Sequence, residues 1–279
     1  NRVLGVYISR DKVVVSSITP RAVVTRSNEF RLDHSYDARD LMQAIVENIE
    51  SIFLAEGKER FMGIGVSCIG PVDINYGRLL TPTDFYGISD VEIKKILTKK
   101  TGLDVVVDND MNASALAELL YGNGTDCGNF IYIGITHGIG AGIVINGELY
   151  SGAHGLCGEL GHISIDHHGP LCSCGNKGCL EVYASIPNFL AHVVGEASKI
   201  ERSVLRKKEM ITFKDVVDAA EGNDRLALKM MDDFIANLAT AMISGIHILD
   251  PEKIFIGHDA GLGGAWFAGR VEKEINRKM

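Results

Sequence analysis

Apolar residues recur along the chain with two spacings, a period of two that is typical of strands and a spacing of three to four that is typical of helices. Residues 3–8 and 13–18 are β-rich runs around a polar turn, which predicts a hairpin. Residues 38–56 have helical spacing, and residues 62–67 follow as a strand. The later predicted elements are strands at residues 104–107, 130–135 and 254–256, a hairpin at 143–150, helices at 91–100, 113–121 and 268–278, and a mostly helical stretch at 186–249. This alternation predicts an α/β protein.

Composition narrows the class of protein. The chain has 279 residues, enough for one large domain or two medium ones, and its 46% hydrophobic and 23% charged residues are typical of a globular protein. No apolar run reaches the roughly 20 residues that a membrane helix needs. A net charge of -8 argues against direct DNA binding, which relies on Lys and Arg. Because the first residue is Asn1 and not Met, we expect a segment to be missing upstream, and any DNA contact to come from it.

Three of the six cysteines fall within eight residues, in the segment Cys172-Ser-Cys174-Gly-Asn-Lys-Gly-Cys179. Its two glycines allow the sharp turn that aims three sulfurs at one point. Zinc prefers four nitrogen or sulfur ligands, and we expect His162 as the fourth, with two nearer histidines at positions 167 and 168 as competitors. Such a site leaves no position for catalytic water, so the predicted zinc is structural. The alternative is a tight loop with free thiols. A clustered set of this kind fits a reducing cytoplasm better than a disulfide scaffold.

A glycine-rich loop at residues 134–142 follows a predicted strand. A dinucleotide-binding fingerprint requires a helix next, whereas a hairpin follows here, so that interpretation is rejected. Two interpretations stay open: close approach to a phosphate or sugar, or a tight β-turn.

Three carboxylates stand out by position. Asp110 lies at a strand-to-helix turn, Glu159 lies three residues before His162, and Glu181 follows the last cysteine by two. Carboxylates accept hydrogen bonds from sugar hydroxyls, and Asp110 could act as a general base toward a hydroxyl. Each residue taken singly has a plain alternative as a helix cap or a surface acid. Proximity to the cysteine loop favours a functional role for Glu159 and Glu181.

Together these segments resemble, in the same order along nearly the whole chain, those of the ROK family of repressors, open reading frames and sugar kinases. Residues 65–73 resemble the family's glycine-proline-glycine loop near the sugar. Residues 108–118 resemble the segment that carries the kinases' catalytic aspartate, here Asp110. Residues 158–162, Gly-Glu-Leu-Gly-His, are similar to the sugar-binding and zinc segment, and residues 172–181 match the highly specific cysteine signature.

The resemblance implies a two-domain actin-like, ribonuclease-H-like fold with a cleft between the domains. We expect one α/β lobe from residues 1–112 plus 249–279. The second lobe, 113–248, would carry the zinc loop and the dimerisation helices of a homodimer or tetramer. The sugar-binding residues that the resemblance implies are Gly70, Asn109, Asp110, Glu159, His162 and Glu181. His162 would serve zinc with one nitrogen and sugar with the other, so that zinc orders the sugar pocket.

The first hairpin departs from the family's kinases, which place an Asp, a Gly-Gly pair and a Thr there for ATP phosphates and magnesium. This chain has Tyr7-Ile-Ser9-Arg10-Asp11. Tyr7 cannot bind a hard cation as a carboxylate does. Ser9 and Arg10 add side chains where glycines allow close approach of the backbone.

Two later segments also differ. A Gly-Gly-Gly run beneath adenosine is replaced by Gly257-His258-Asp259-Ala, and the two side chains are expected to obstruct the base. Thr83 stands where the family has a sugar-side Asn after Thr-Pro. Two ATP elements have therefore changed, while the sugar and zinc elements are present.

This pattern predicts a sensor that binds a monosaccharide or sugar phosphate without phosphorylating it, as the effector domain of a transcriptional regulator. Sugar would shift an equilibrium between arrangements of the domains, which a dimer would pass to an upstream winged helix-turn-helix. The first alternative is a sugar kinase that uses ATP and magnesium, with Asp110 as base. A zinc-stabilised interaction protein without a ligand is the other alternative.

Overall fold

The computed structural model describes residues 1–153, 155–200 and 203–279, and the chain divides into two compact units. The first unit comprises Asn1–Gly122 and Ser151–Leu156. The second comprises Asn123–Tyr150 and Cys157–Met279.

The first unit is an α/β unit that begins with a meander of three strands. Its elements in chain order are β1 (Arg2–Ile8), β2 (Lys12–Ile18), β3 (Val24–Arg31), α1 (Ala38–Glu56), β4 (Phe61–Cys68), β5 (Val72–Asp73), β6 (Arg78–Leu79), α2 (Ile93–Thr101), β7 (Asp104–Asn109) and α3 (Asp110–Tyr121). Five strands form one sheet in the order β3-β2-β1-β4-β7. Alternate residues of the sheet, such as Leu4, Ile64 and Val105, are buried in one core with apolar residues of α1 and α2. The predicted hairpin and first helix are confirmed, and α1 begins with a capping box between Asp37 and Asp40.

Parallel pairing of β1, β4 and β7 fixes where loops meet in this unit. Carboxyl ends of neighbouring parallel strands lie at the same edge of a sheet, so the turns after Ile8, Cys68 and Asn109 share one edge. The main chain joins two of them directly, because the Ile69 N–H donates to the carbonyl of Ile8 at 3.0 Å. Open α/β sheets bind ligands outside this edge, which we call the carboxyl edge.

The second unit consists of a four-stranded sheet and a set of helices. Its elements are β8 (Phe130–Ile135), β9 (Ile139–Ile145), β10 (Glu148–Leu149), α4 (Leu180–Ala184), α5 (Ile186–Ala197), α6 (Phe213–Glu221), α7 (Arg225–Leu249), β11 (Lys253–His258) and α8 (Gly264–Lys278). The sheet order is β10-β9-β8-β11. Asn146 and Gly147 both have positive φ, 54° and 76°, which confirms the predicted tight hairpin turn. No helix in the described part of the chain, α7 included, is long and apolar enough to span a membrane.

Residues 249–279 belong to the second unit. The sequence had led us to expect them in the first. Strand β11 pairs in parallel with β8, with Ile254 opposite Ile131. The ring of Phe267 on α8 packs edge-on or tilted against Phe213 and Phe234 in the same core. The first unit also extends to Gly122, beyond the expected boundary at residue 112, because α3 continues directly from β7.

Candidate functional site

Four side chains of the second unit form a group that could hold a metal ion. Ligand atoms of His162, Cys172, Cys174 and Cys179 all lie within 4.8 Å of one another. The His162 Nδ1 atom is 3.6 Å from Cys172 Sγ, and the Cys174 and Cys179 sulfurs are 3.7 Å apart. The histidines at positions 167 and 168 contact each other with tilted rings, whose centroids are 3.9 Å apart, and are not in this group. The structure thus brings together the four residues that the sequence predicted.

Glycines in the segment from His162 to Glu181, which we call the metal loop, allow the chain to present its sulfurs. Gly175 and Gly178 have φ of +90° and +63°, a region that residues with side chains rarely adopt. A Cβ at Gly178 would lie 1.6 Å from the carbonyl oxygen of Asp166, so only glycine fits there. The tip of the loop is closed by the Cys172 N–H, which donates to the Asn176 carbonyl at 2.8 Å.

Two of the thiols have opposite tendencies to ionise. Burial raises the pKa of Cys179 to about 12, and the neighbouring cysteines add to the effect. A main-chain N–H of Asn176 lowers the pKa of the exposed Cys174. Metal ligation requires thiolates, so a bound ion must displace a proton from Cys179, and metal affinity will depend on pH.

Glu159 lies on the other side of the His162 ring from the cysteines. Its Oε2 atom is 3.9 Å from Nε2 of His162, while Nδ1 faces Cys172. Burial raises the pKa of the Glu159 carboxyl, and the negative charge of Glu181 raises it further, while His162 lowers it. The His162 ring therefore places Nδ1 beside the cysteines and Nε2 beside the Glu159 carboxylate.

Glu181 is held by the turn between β8 and β9. The Ile139 N–H donates to its Oε2 at 3.1 Å, and a Cβ at Gly138 would lie 2.9 Å from the same oxygen. The glycine-rich loop is therefore a three-residue connection between β8 and β9 whose main chain closely approaches the Glu181 carboxylate. This contact spans 42 residues, and no local signal in the sequence predicts it.

Gly70, Asn109 and Asp110 lie at the carboxyl edge of the first unit. Asn109 is the N-cap of α3, and its side-chain oxygen accepts from the Met111 N–H at 2.9 Å. A Cβ at Gly70 would lie 2.7 Å from Asn109 Nδ2, so the two residues are close neighbours. Burial raises the pKa of Cys68, and the charges of Asp110 and then Asp108 raise it further. Within this unit, three of the predicted sugar residues therefore come together, as Glu159, His162 and Glu181 do within the second.

The β1–β2 turn is closed by hydrogen bonds of Ser9. The Ser9 N–H donates to the Lys12 carbonyl at 2.9 Å, and the Ser9 hydroxyl donates to Asp11 Oδ1 at 2.9 Å. Arg10 points to a distant segment, where its Nη2 donates to the Thr83 carbonyl at 3.0 Å. Sequence reasoning did not predict this contact, because the two residues are 73 positions apart.

His258 ends β11 in a conformation that suits glycine. Its φ and ψ are 58° and -140°, and its ring packs edge-on to Tyr132 with centroids 6.0 Å apart. Burial lowers the pKa of His258, and Asp259 partly opposes this. The preceding residue must be small, because a Cβ at Gly257 would lie 1.8 Å from the Tyr132 hydroxyl. The main chain therefore keeps a glycine-type geometry where the sequence supplies an imidazole.

Comparisons with known proteins agree with these features. A model of the ROK family matches residues 14–279. The xylose repressor of Bacillus spizizenii is 33% identical over 195 residues, which are 70% of this chain and 47% of the repressor. The glucokinase of Thermotoga maritima is 30% identical over 273 residues, which are 96% of this chain and 82% of the glucokinase. The chain thus spans about half the length of the xylose repressor, and most of the length of the glucokinase.

A solved structure of a ROK family transcriptional regulator, a homologue of E. coli Mlc, superimposes with a TM-score of 0.90. The likeness covers 99% of this chain and 70% of that chain, at 31% identity. It confirms the predicted actin-like, ribonuclease-H-like fold.

Proposed function

Because the chain belongs to the ROK family, we propose that it is the sugar-binding effector part of a transcriptional regulator and does not transfer phosphate from ATP. The observation that carries this proposal is the state of the two ATP elements. Tyr7 and Arg10 occupy the first hairpin, and His258 fills a glycine-type position at the end of β11. The carboxylates and the metal loop, in contrast, have the residues that sugar and metal binding require. Similarity to a xylose repressor and to an Mlc homologue supports the same choice.

The metal is proposed to be zinc, in a structural role. A tetrahedral ion with Zn–S near 2.3 Å and Zn–N near 2.0–2.1 Å separates two sulfurs by about 3.8 Å and a sulfur from a nitrogen by about 3.6 Å. The corresponding distances here are 3.7 Å and 3.6 Å. Three cysteines and one histidine complete the coordination. Zinc would thereby fix the His162 ring, and it would fix Glu181 through the two-residue connection from Cys179.

The ligand is proposed to be a monosaccharide or its phosphate. The residues proposed to bind it are Gly70, Asn109, Asp110, Glu159, His162 and Glu181. Carboxylate oxygens accept hydrogen bonds from hydroxyl groups, and bonds to charged acceptors are stronger than neutral ones. In the full-length protein, we propose that a homodimer transmits sugar binding to a winged helix-turn-helix upstream of this chain.

A sugar kinase is the second candidate, favoured by the alignment of 96% of the chain with the Thermotoga maritima glucokinase. Asp110, at the first position of α3, would then be the general base toward a sugar hydroxyl, with ATP and magnesium as cofactors. Release of ADP that requires both a sugar and Asp110 distinguishes this candidate from the first.

Calorimetry with D-xylose, D-glucose and their phosphates tests the proposed ligand and its residues. Asp110→Ala and Glu159→Ala should each lower the affinity for the tightest-binding sugar by about tenfold to over a hundredfold, because a hydrogen bond to a charged group contributes about 1.5–3 kcal/mol. Both variants should keep zinc, as measured by elemental analysis, whereas His162→Ala should lose zinc and sugar together. Glu148→Ala, an exposed acid on β10, is the matched control and should bind like wild type. Wild-type affinity in both Asp110→Ala and Glu159→Ala would place the ligand elsewhere.

A further inference from the structure

The β1–β2 turn is tied to a distant segment of the first unit through Arg10. Its Nη2 donates to the main-chain carbonyl of Thr83 at 3.0 Å, and its Nη1 lies 4.0 Å from Asp84 Oδ2. The Arg10 side chain is 23% exposed, whereas the Asp84 side chain is 84% exposed. An exposed ion pair at the limit of contact contributes little, while a guanidinium bond to a carbonyl is charge-assisted. The bond to Thr83 is therefore the important one.

The segment that Arg10 reaches, residues 80–90, is anchored at its base and strained at its tip. The Leu80 N–H donates to the Pro71 carbonyl at 3.0 Å, and the Asp90 N–H donates to the Leu80 carbonyl at 2.7 Å. Between these anchors, Asp84 and Tyr86 have φ of 52° and 53°, a left-handed conformation that is uncommon for residues with side chains. Phe85 and Ile88 of this segment are buried in the core. Thr83 and Asp84 are exposed, and Arg10 contacts both of them.

The segment also starts beside the residues at the carboxyl edge. Its anchor Pro71 follows Gly70, which is next to Asn109. Thr83 is exposed, and its carbonyl is held by Arg10, which itself follows the end of β1 at the same edge. The tip therefore stands at the edge where ligands of open α/β sheets bind.

We propose that Arg10 is a positioning residue for the effector: by holding the Thr83 carbonyl, it fixes the tip of residues 80–90 so that the Thr83 side chain contributes to sugar specificity. This inference rests on the proposed sugar-binding function. It assigns a role in sugar binding to Arg10, which stands where the family resemblance implies a glycine. The hydrogen bond from Arg10 to the Thr83 carbonyl, and not the volume of the Arg10 side chain, positions the segment.

Three substitutions separate the bond from the bulk. Arg10→Lys keeps a donor, Arg10→Met keeps most of the apolar stem without a donor, and Arg10→Ala removes both. Arg21→Ala is the matched control, because Arg21 is an exposed arginine in the next turn of the same sheet. Hydrogen exchange of amides 80–90 is measured without ligand, and affinity for D-xylose and D-glucose is measured by calorimetry.

Arg10→Met and Arg10→Ala should exchange faster at residues 80–90 and bind the preferred sugar about tenfold more weakly, near the lower end for one charged hydrogen bond. The ratio of the two sugar affinities should also fall. Arg10→Lys should recover most of the affinity, and Arg21→Ala should match wild type. Wild-type exchange in Arg10→Met, or faster exchange with unchanged affinity and sugar preference, would overturn the proposal. If wild type binds neither sugar nor its phosphate, the proposed function fails and this inference with it.

Discussion

The metal loop and the β1–β2 turn are both tight chain reversals, but they differ in which parts of the chain are constrained. In the metal loop, four ligand atoms lie within 4.8 Å, and Gly178 tolerates no Cβ because of the Asp166 carbonyl. In the β1–β2 turn, Ser9 closes the reversal through main-chain and side-chain bonds, while the Arg10 side chain reaches away to Thr83. The first region is constrained in both backbone and side chains, and the second mainly in its backbone.

This difference shows that the shape of a turn is weaker evidence of function than the side chains it presents. The β1–β2 hairpin has a structural reason of its own, because it connects two paired strands. A loop that gathers three cysteines and a histidine has no comparable structural need for those residue types. Substitutions in the two regions should therefore differ in size and in what they disturb.

The largest effect is expected from Cys174→Ala. Loss of one of four ligands should reduce zinc from about one equivalent to near zero. The free energy of unfolding should fall by about 5 kcal/mol, the size associated with loss of a structural metal. Elemental analysis and urea unfolding measure the two effects. Cys157→Ala removes a half-buried cysteine outside the group and should keep its zinc. Equal zinc contents in Cys174→Ala and Cys157→Ala would show that the metal loop does not bind zinc through Cys174.

A smaller, graded effect is expected from the two glycines of the metal loop. Gly178→Ala should lower the free energy of unfolding by about 4 kcal/mol and release zinc, because the main chain must move away from Asp166. Gly175→Ala meets nothing within 4 Å, so only its backbone conformation is strained, at about 1–3 kcal/mol. Urea unfolding of both variants at a fixed zinc concentration ranks them. The reverse ranking would show that the close contact at Gly178 does not shape the loop.

The smallest effect is expected from Ser9→Ala in the β1–β2 turn. It removes the hydroxyl bonds to Asp11 and to the main chain of Lys12, and should lower the free energy of unfolding by about 0.5–1.5 kcal/mol. Zinc content and sugar affinity should not change. Loss of either would mean that the turn is coupled to binding through more than Arg10.

Most elements could be predicted because their apolar periodicity is strong, as in α1 and β8. Strand β3 was not predicted, since its sequence VTRSNEFR is polar and it forms an exposed edge strand. The place of residues 249–279 was predicted wrongly, because the partner of β11 is chosen by tertiary packing and has no local signal.

The candidate site divides in the same way. The metal ligands could be predicted because cysteine spacing and ligand chemistry act within 18 residues of chain. The contacts from Ile139 to Glu181 and from Arg10 to Thr83 join main-chain atoms to side chains 42 and 73 positions away. Any residue can supply a main-chain atom, so no residue type marks these contacts in the sequence.

The central claim, sugar binding without phosphate transfer, is tested most directly by measuring ADP release and sugar affinity on the same preparation. Wild-type protein with magnesium and ATP is titrated with the tightest-binding sugar, and Asp110→Ala is treated in parallel. We predict sugar binding that weakens at least about tenfold in Asp110→Ala. In the same samples, we predict no ADP release that depends on the sugar. Sugar-dependent ADP release by wild type that Asp110→Ala abolishes would contradict the claim and identify the chain as a kinase.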